Sequence, residues 1–200
     1  SGFADGILDG TIPPERQKRY LEIITNETKR LSRLVKKMLD ISRIQAMDTK
    51  RLTKSQFNVT ELAAKALISL EGHINEKKLS VETRFPEEPV VVVADEDAIM
   101  QVVYNLIDNA VKFARQEGTL SIAIWKKENK AYISVKDQGA VIAPEELPLV
   151  FDPFYKTDSS RSEDVSGVGL GLYIVKAIIK NHGEDIFARS ENGETEFVFT

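Results

Sequence analysis

The sequence predicts an α+β protein, with helices packed on one face of a mixed, mostly antiparallel sheet and a truncated helical hairpin ahead of them. Three observations carry that expectation. Residues 13–47 hold a narrow apolar seam at helical spacing. Asp95–Ala114 is strongly amphipathic, with the period of a helix lying on a core. Thr119–Lys126, Lys130–Lys136 and Ile186–Phe199 alternate as strands around the turn pairs Glu128-Asn129 and Asn192-Gly193.

Bulk composition narrows the class. The chain has 200 residues, 42% hydrophobic and 29% charged, an ordinary globular balance. A net charge of -4 leaves no basic footprint for nucleic acid, so no nucleic-acid partner is expected. The absence of cysteine excludes a disulfide framework and a thiolate zinc site. The run Val90-Val-Val-Val-Ala94 falls far short of the roughly 20 residues a membrane helix needs. A soluble, cytoplasmic fragment is the expectation.

The elements follow in order. Residues 3–9 read as the end of one helix, stopped near Gly10. Pro13-Pro14 then opens a long helix with Glu15 in its first turn. Tyr20, Ile24, Leu31, Leu34, Met38, Ile41 and Ile44 form its seam, which one helix cannot bury alone. This predicts self-association through the hairpin. Composition turns polar near Asp48–Ser55, which divides the chain into a hairpin region, 1–50, and a second domain, 51–200. Asn58-Val-Thr-Glu61 is a capping-box-like start for a helix through about Lys78. Leu79–Phe85 alternates as a strand, and Val90–Val93 is a candidate buried strand. Residues 152–168 carry little that is apolar and read as a long mobile loop.

Three stretches carry chemistry. The first is Ser166-Gly-Val-Gly-Leu-Gly-Leu-Tyr-Ile-Val, with glycines at alternate positions before a helical run. It lacks the Gly-Lys-Ser/Thr of a P-loop, and Leu172 stands where a dinucleotide fingerprint needs its third glycine. What remains is backbone freedom joined to the positive end of a helix, a setting for phosphate. The competing reading is a plain flexible turn. Leu170, Ile174, Val175, Ile178 and Ile179 would anchor the helix, and Gly183 would end it.

The second stretch is Asn105-Leu-Ile-Asp-Asn109-Ala-Val-Lys112 on the amphipathic helix. Ile99, Val102, Val103, Leu106, Ala110 and Phe113 form the buried face there. Asn105, Asn109 and Lys112 lie roughly along one face bordering it. An amide oxygen is a hard neutral ligand for Mg²⁺, and lysine can meet phosphate. A solvated polar face is the alternative. The third is Ser134-Val-Lys-Asp137-Gln-Gly139, where a carboxylate at a strand end could accept from the amino group of adenine. An ordinary Asp-x-Gly turn competes with that reading.

Taken in order, "NLIDNAVK", "DQG", "FDPFYK" and "GVGLGLYIV" resemble the N, G1, F and G2 boxes of the ATP-binding domain of bacterial sensor histidine kinases. The resemblance covers about residues 55–200. The stretch "ETKRLSRLVKKMLDISRIQA" looks like the second helix of that family's dimerisation and phosphotransfer hairpin. It implies a Bergerat-type α/β sandwich that binds ATP with Mg²⁺. Carried onto this chain, Asn109 would ligate Mg²⁺, with Asn105 and Lys112 beside the phosphates. Asp137 would hold the adenine amino group and Gly139 would let the base sit close. Phe151 and Phe154 would pack the base of a lid. Gly167, Gly169 and Gly171, with the N–H of Leu170, would wrap the triphosphate, and Arg161 could reach its end. The resemblance makes the self-association expected through the hairpin a homodimer. A response regulator is the implied partner, and a membrane-anchored sensor the implied parent.

Two departures matter. Val141 stands where the family has the second glycine of its G1 box, and a β-branched residue resists positive φ. The family's phosphoacceptor histidine is also missing. The chain's two histidines, His73 and His182, lie outside the expected context, and His182 sits at a helix end where a structural role is expected. The reading is therefore a kinase fragment whose acceptor lies elsewhere, so that it does not autophosphorylate alone. The alternative is a degenerate pseudokinase serving as a dimerisation or scaffold module.

Overall fold

A computed structural model describes residues 2–47, 52–157 and 169–200. The chain divides into two compact units, Ser1–Arg43 and Ile44–Thr200. The first holds α1 (Gly2–Leu8) and the long α2, which runs Pro14–Met47. Gly10, at φ 75°, takes the left-handed turn between them that a side chain would resist. Phe3 stacks on Tyr20 with ring centroids 4.8 Å apart, which fastens α1 to the first turns of α2. The seam side chains Leu34, Met38, Ile41 and Ile44 lie outside the described side chains.

The second unit contains β1 (Ser55–Asn58), α3 (Val59–Ser69), α4 (Glu71–Glu76), β2 (Ser80–Arg84), β3 (Val91–Ala94) and α5 (Glu96–Phe113). It continues with β4 (Thr119–Lys127), β5 (Lys130–Gln138), α6 (Gly171–Asn181), β6 (Ile186–Glu191) and β7 (Glu194–Phe199). The main sheet has the order β2-β4-β5-β7-β6. β2 runs parallel to β4 and the remaining pairs are antiparallel, so the sheet is mixed. β1 and β3 form a separate antiparallel ribbon. Leu120, Ile122 and Ile124 of β4, Ile133 and Val135 of β5, and Phe197 and Phe199 of β7 bury one sheet face. α5 packs over it against β5, flanked by α3 and α6.

Helix ends follow their expected chemistry. Asn58 caps α3 by accepting from Thr60 N–H at 3.0 Å, and its amide donates to Glu61 at 3.0 Å. Asp95 caps α5 by accepting from Ala98 N–H at 3.1 Å. Gly183, at φ 80°, ends α6 with a paired motif: Gly183 N–H reaches Lys180 O at 2.9 Å and Glu184 N–H reaches Ile179 O at 3.1 Å. Asn192 and Gly193 both take positive φ and close the β6–β7 hairpin.

Four expectations are corrected. The single helix to Lys78 is broken at the buried Leu70 into α3 and α4, and Ser69 turns its hydroxyl back onto Ala66 O at 2.7 Å. Val90–Val93 is not a buried strand. Only Val90 is fully enclosed, whereas Val91 and Val93 are exposed, because β3 pairs in a two-stranded ribbon with nothing over that face among the described residues. The buried face of α5 is also wider than expected, adding Ala98, Ile107 and Val111, because helices flank α5 on both sides. Phe113 falls short of full burial, near the point where α5 ends at Ala114.

Candidate nucleotide site

Asp137 lies in register with Leu120 of β4 and Thr195 of β7. The alternation that buries Ile133 and Val135 continues to Asp137, so the carboxylate faces the core at 2% exposure. This removes the turn reading, since the residue is still paired on both sides at the end of β5 and is not in a loop. Its Oδ1 is buried and has no hydrogen-bond partner among the described residues. Burial pushes its pKa up from 3.8 to about 7, and the charge of Lys77 opposes that rise. A buried oxygen without a donor is costly unless a donor is supplied.

Gly139 meets the end of α5. Its N–H bonds Gly193 O at 3.0 Å, and it bridges to Ala114. A Cβ there would stand 1.9 Å from Phe113 O, so no residue with a side chain fits. The next residues are fastened by a hydroxyl relay. Ile142 N–H donates to Ser190 Oγ at 2.8 Å, Ser190 and Thr195 hydroxyls meet at 2.7 Å, and Thr195 donates to Ala140 O at 3.1 Å. Those bonds bracket Val141, which is 47% exposed and stays outside the left-handed region. The strain expected from losing glycine there does not arise.

Asn105 and Asn109 are half-buried on α5. The Asn105 amide nitrogen is enclosed and has no partner among the described residues. Lys112 is exposed and pairs with Asp108 at 2.5 Å, so in this conformation its ammonium is held along α5. Gly169 and Gly171 precede and open α6. Gly169 has φ 73°, and a Cβ on it would lie 2.7 Å from Tyr155 O. Its carbonyl accepts from Phe154 N–H at 2.9 Å, which draws together the two ends of the intervening segment. Leu170 is fully buried and gives no side-chain cap, which leaves the first N–H groups of α6 to another acceptor. Gly167 and Arg161 lie outside the described residues.

The three motifs therefore converge on α5. It carries both asparagines, its end touches Gly139, and its flank packs on α6 behind Gly169. Of the two phenylalanines expected at the lid base, Phe151 is buried edge-on against Phe197 at 6.1 Å, with Lys176 over its ring at 5.4 Å. Phe154 is instead 57% exposed at φ 66°, because its backbone is committed to the turn that meets Gly169. His182 is structural, as expected: its Nδ1 faces Ile178 O at 2.8 Å and its Nε2 accepts from Asp95 N–H at 3.2 Å. Sequence reasoning missed Lys77 and the Ser190–Thr195 pair. Thr195 was findable, as a polar residue in the inward row of Phe197 and Phe199.

Residues 94–200 match the family described as histidine kinase-, DNA gyrase B- and HSP90-like ATPase. Residues 1–46 match the His Kinase A (phospho-acceptor) domain. Sensor protein SrrB of Staphylococcus aureus (strain MRSA252) is 35% identical over 98% of this chain. The chain belongs to the sensor histidine kinases. It spans 34% of that relative's length. The solved histidine kinase AdeS of Acinetobacter baumannii superposes with a TM-score of 0.75 at 27% identity, covering 99% of this chain and 90% of that one. Histidine kinase ThkA, solved in complex with response regulator protein TrrA, gives 0.76 at 29% identity, covering 99% and 55%. The histidine kinase region matched at 1–46 contains no histidine in this sequence. Residues 94–200 are its ATP-binding catalytic domain.

Proposed function

We propose that Asp137, Gly139, Asn105, Asn109, Lys112, Gly169, Leu170 and Gly171, with Gly167, form one site for ATP carried with Mg²⁺. The observation that carries this is the pair of orphaned polar atoms, Asp137 Oδ1 and the Asn105 amide nitrogen, on elements that meet at α5. Asp137 accepts from the exocyclic amino group of the base, which satisfies the buried oxygen. Gly139 leaves the base room that a side chain would take. The backbone N–H groups at Gly169–Gly171 face the phosphates at the positive end of α6. The Asn109 carbonyl oxygen is the chain's ligand for Mg²⁺. Lys112 must exchange Asp108 for phosphate, an exchange available to an exposed pair.

Bound ATP would supply the transferable phosphoryl group, and Mg²⁺ would neutralise charge on its phosphates. The protein's part is to position and neutralise, since phosphoryl transfer asks little covalent chemistry of it. In the whole protein the γ-phosphoryl group passes to a histidine outside this sequence and then to a response regulator aspartate, and two chains pair through the hairpin. The ThkA–TrrA complex supports the regulator as partner class. A membrane-anchored parent remains part of this proposal. No described helix is long and apolar enough to cross a membrane.

The degenerate alternative rested on Val141. Its relaxed backbone removes the part of that reason that lay in backbone strain. Thermal unfolding with ADP or ATP, with and without Mg²⁺, tests the proposal. Nucleotide at a hundred times its dissociation constant adds about 2.7 kcal/mol. The shift must appear in the wild type and vanish in Asp137→Ala and Asn109→Ala. No shift at millimolar nucleotide overturns the reading.

A further inference from the structure

Lys77, in the link between α4 and β2, belongs to none of the motifs, yet its ammonium sits at the end of α5. Its Nζ donates to Lys112 O at 2.5 Å and to Ala114 O at 2.9 Å. The carbonyl between those two, Phe113 O, is the atom that crowds Gly139. The Cβ position of Gly139 is in turn 3.0 Å from Asp137 Oδ1. Two further bonds hold the assembly: Glu117 N–H to Lys77 O at 3.0 Å and Arg115 N–H to Gln138 O at 2.8 Å.

This arrangement solves an electrostatic conflict. The last carbonyls of a helix are its negative end. Here they lie beside a buried carboxylate, so both disfavour the ionised acid. An ammonium bonded to those carbonyls offsets them and attracts the carboxylate. Other charges near Asp137 are engaged elsewhere. On and beyond α5, Lys112 pairs with Asp108 and Arg115 bonds Gln138. On β5 and β7, Lys136 pairs with Glu194, and Glu196 accepts from Ser134. On β4 the register partner is the uncharged Leu120.

We infer that Lys77 is a positioning residue for adenine recognition: its charge, fastened to the end of α5, favours the ionised form of Asp137 that accepts from the base. This rests on the reading of Asp137 as the base-binding residue. Asp137 titrates at about 7, so the effect falls within an accessible pH range. Loss of the charge raises that value further and lowers the fraction able to bind. The deficit is then largest below neutrality and disappears once both proteins are ionised.

The experiment measures ADP–Mg²⁺ affinity from pH 6 to 9 for wild type, Lys77→Met, Lys77→Gln and Lys77→Arg. Each variant is expressed as a ratio to wild type at the same pH, which cancels the titration of the nucleotide's own phosphates. Lys77→Gln retains donors for the two carbonyls and is the informative variant if Lys77→Met fails to fold. The expected ratio for Lys77→Gln is about tenfold weaker at pH 6, one pKa unit's worth, and within about twofold of wild type at pH 9. Lys77→Arg stays near wild type throughout. A deficit that is the same at every pH, or no deficit, overturns the inference. Asp137→Ala separates the two claims. If it binds as wild type does, the base reading fails. If it loses binding while the Lys77→Gln ratio stays flat, only the role of Lys77 falls.

Discussion

The base end and the phosphate end of the proposed site are built from different materials. At the base end Asp137 lies in a central strand, laddered on both sides, and Gly139 is wedged against the last carbonyls of α5. At the phosphate end the groups sit on half-exposed helix faces and at a helix start whose approach turns on one glycine of positive φ. A rigid end can hold an unsatisfied carboxylate because surrounding structure enforces it. A looser end can rearrange around a phosphate chain and release it. If the proposal holds, the difference teaches that the base is met by the folded core, while the phosphates are met at helix faces and a helix start.

The variants that break this contrast can be ranked. Gly139→Ala has the largest expected effect, because Cβ would overlap the Phe113 carbonyl. Overpacking against backbone should cost about 3 kcal/mol or more, read as a lowered urea midpoint. A fall below about 1 kcal/mol would show that the base end is not rigid.

Asp137→Asn comes next, and its sign is set by linkage. The carboxyl is raised from 3.8 to about 7 in the folded protein. The folded state therefore holds a proton that the unfolded state has released, and stability falls as pH rises between those values. The variant keeps an acceptor oxygen but adds donors, so it should weaken ADP binding, yet gain up to about 4 kcal/mol at pH 8 without nucleotide. Its stability should be flatter between about pH 4 and 7 than that of wild type. Denaturant titration across pH reads both effects.

Gly169→Ala should cost about 1–2 kcal/mol, since it combines a left-handed backbone with contact against Tyr155 O. Its loss of nucleotide affinity should exceed its loss of stability, because it lies at the proposed phosphate end. His182→Ala removes the bond that ties the end of α6 to the start of α5 and should cost about 1 kcal/mol. Asn109→Ala has the smallest expected effect on stability, within about 0.5 kcal/mol for a half-buried helix position. It should nevertheless abolish ADP–Mg²⁺ binding, which calorimetry would read as loss of the binding heat seen with wild type.

The two ends also differ in how far the sequence announced them. The glycine run, the asparagine pair and the amphipathic face of α5 are local patterns visible in the sequence, although for the first two spacing alone left a flexible turn and a solvated polar face open, and the family resemblance decided. The base end is made by contacts distant in sequence. Nothing near Lys77 signals that it will cap α5 at Lys112 and Ala114. Nothing near Val141 reveals that Ser190 and Thr195 will hold its flanks and turn its side chain outward. The valine run at 90–93 misled for a related reason. Composition marks a strand, but whether both faces are covered depends on what packs there. Asp137 was half legible, since the alternation from Ile133 continues to it, although a turn was an equal reading of Asp-x-Gly.

One measurement tests the central claim directly: amide NMR shifts followed through a titration with ADP–Mg²⁺. Signals from Asn105, Asn109, Asp137, Gly139, Gly169 and Gly171 should move together and saturate with a single dissociation constant. Movement confined to one end, two separate constants, or no movement at millimolar nucleotide would contradict a shared site.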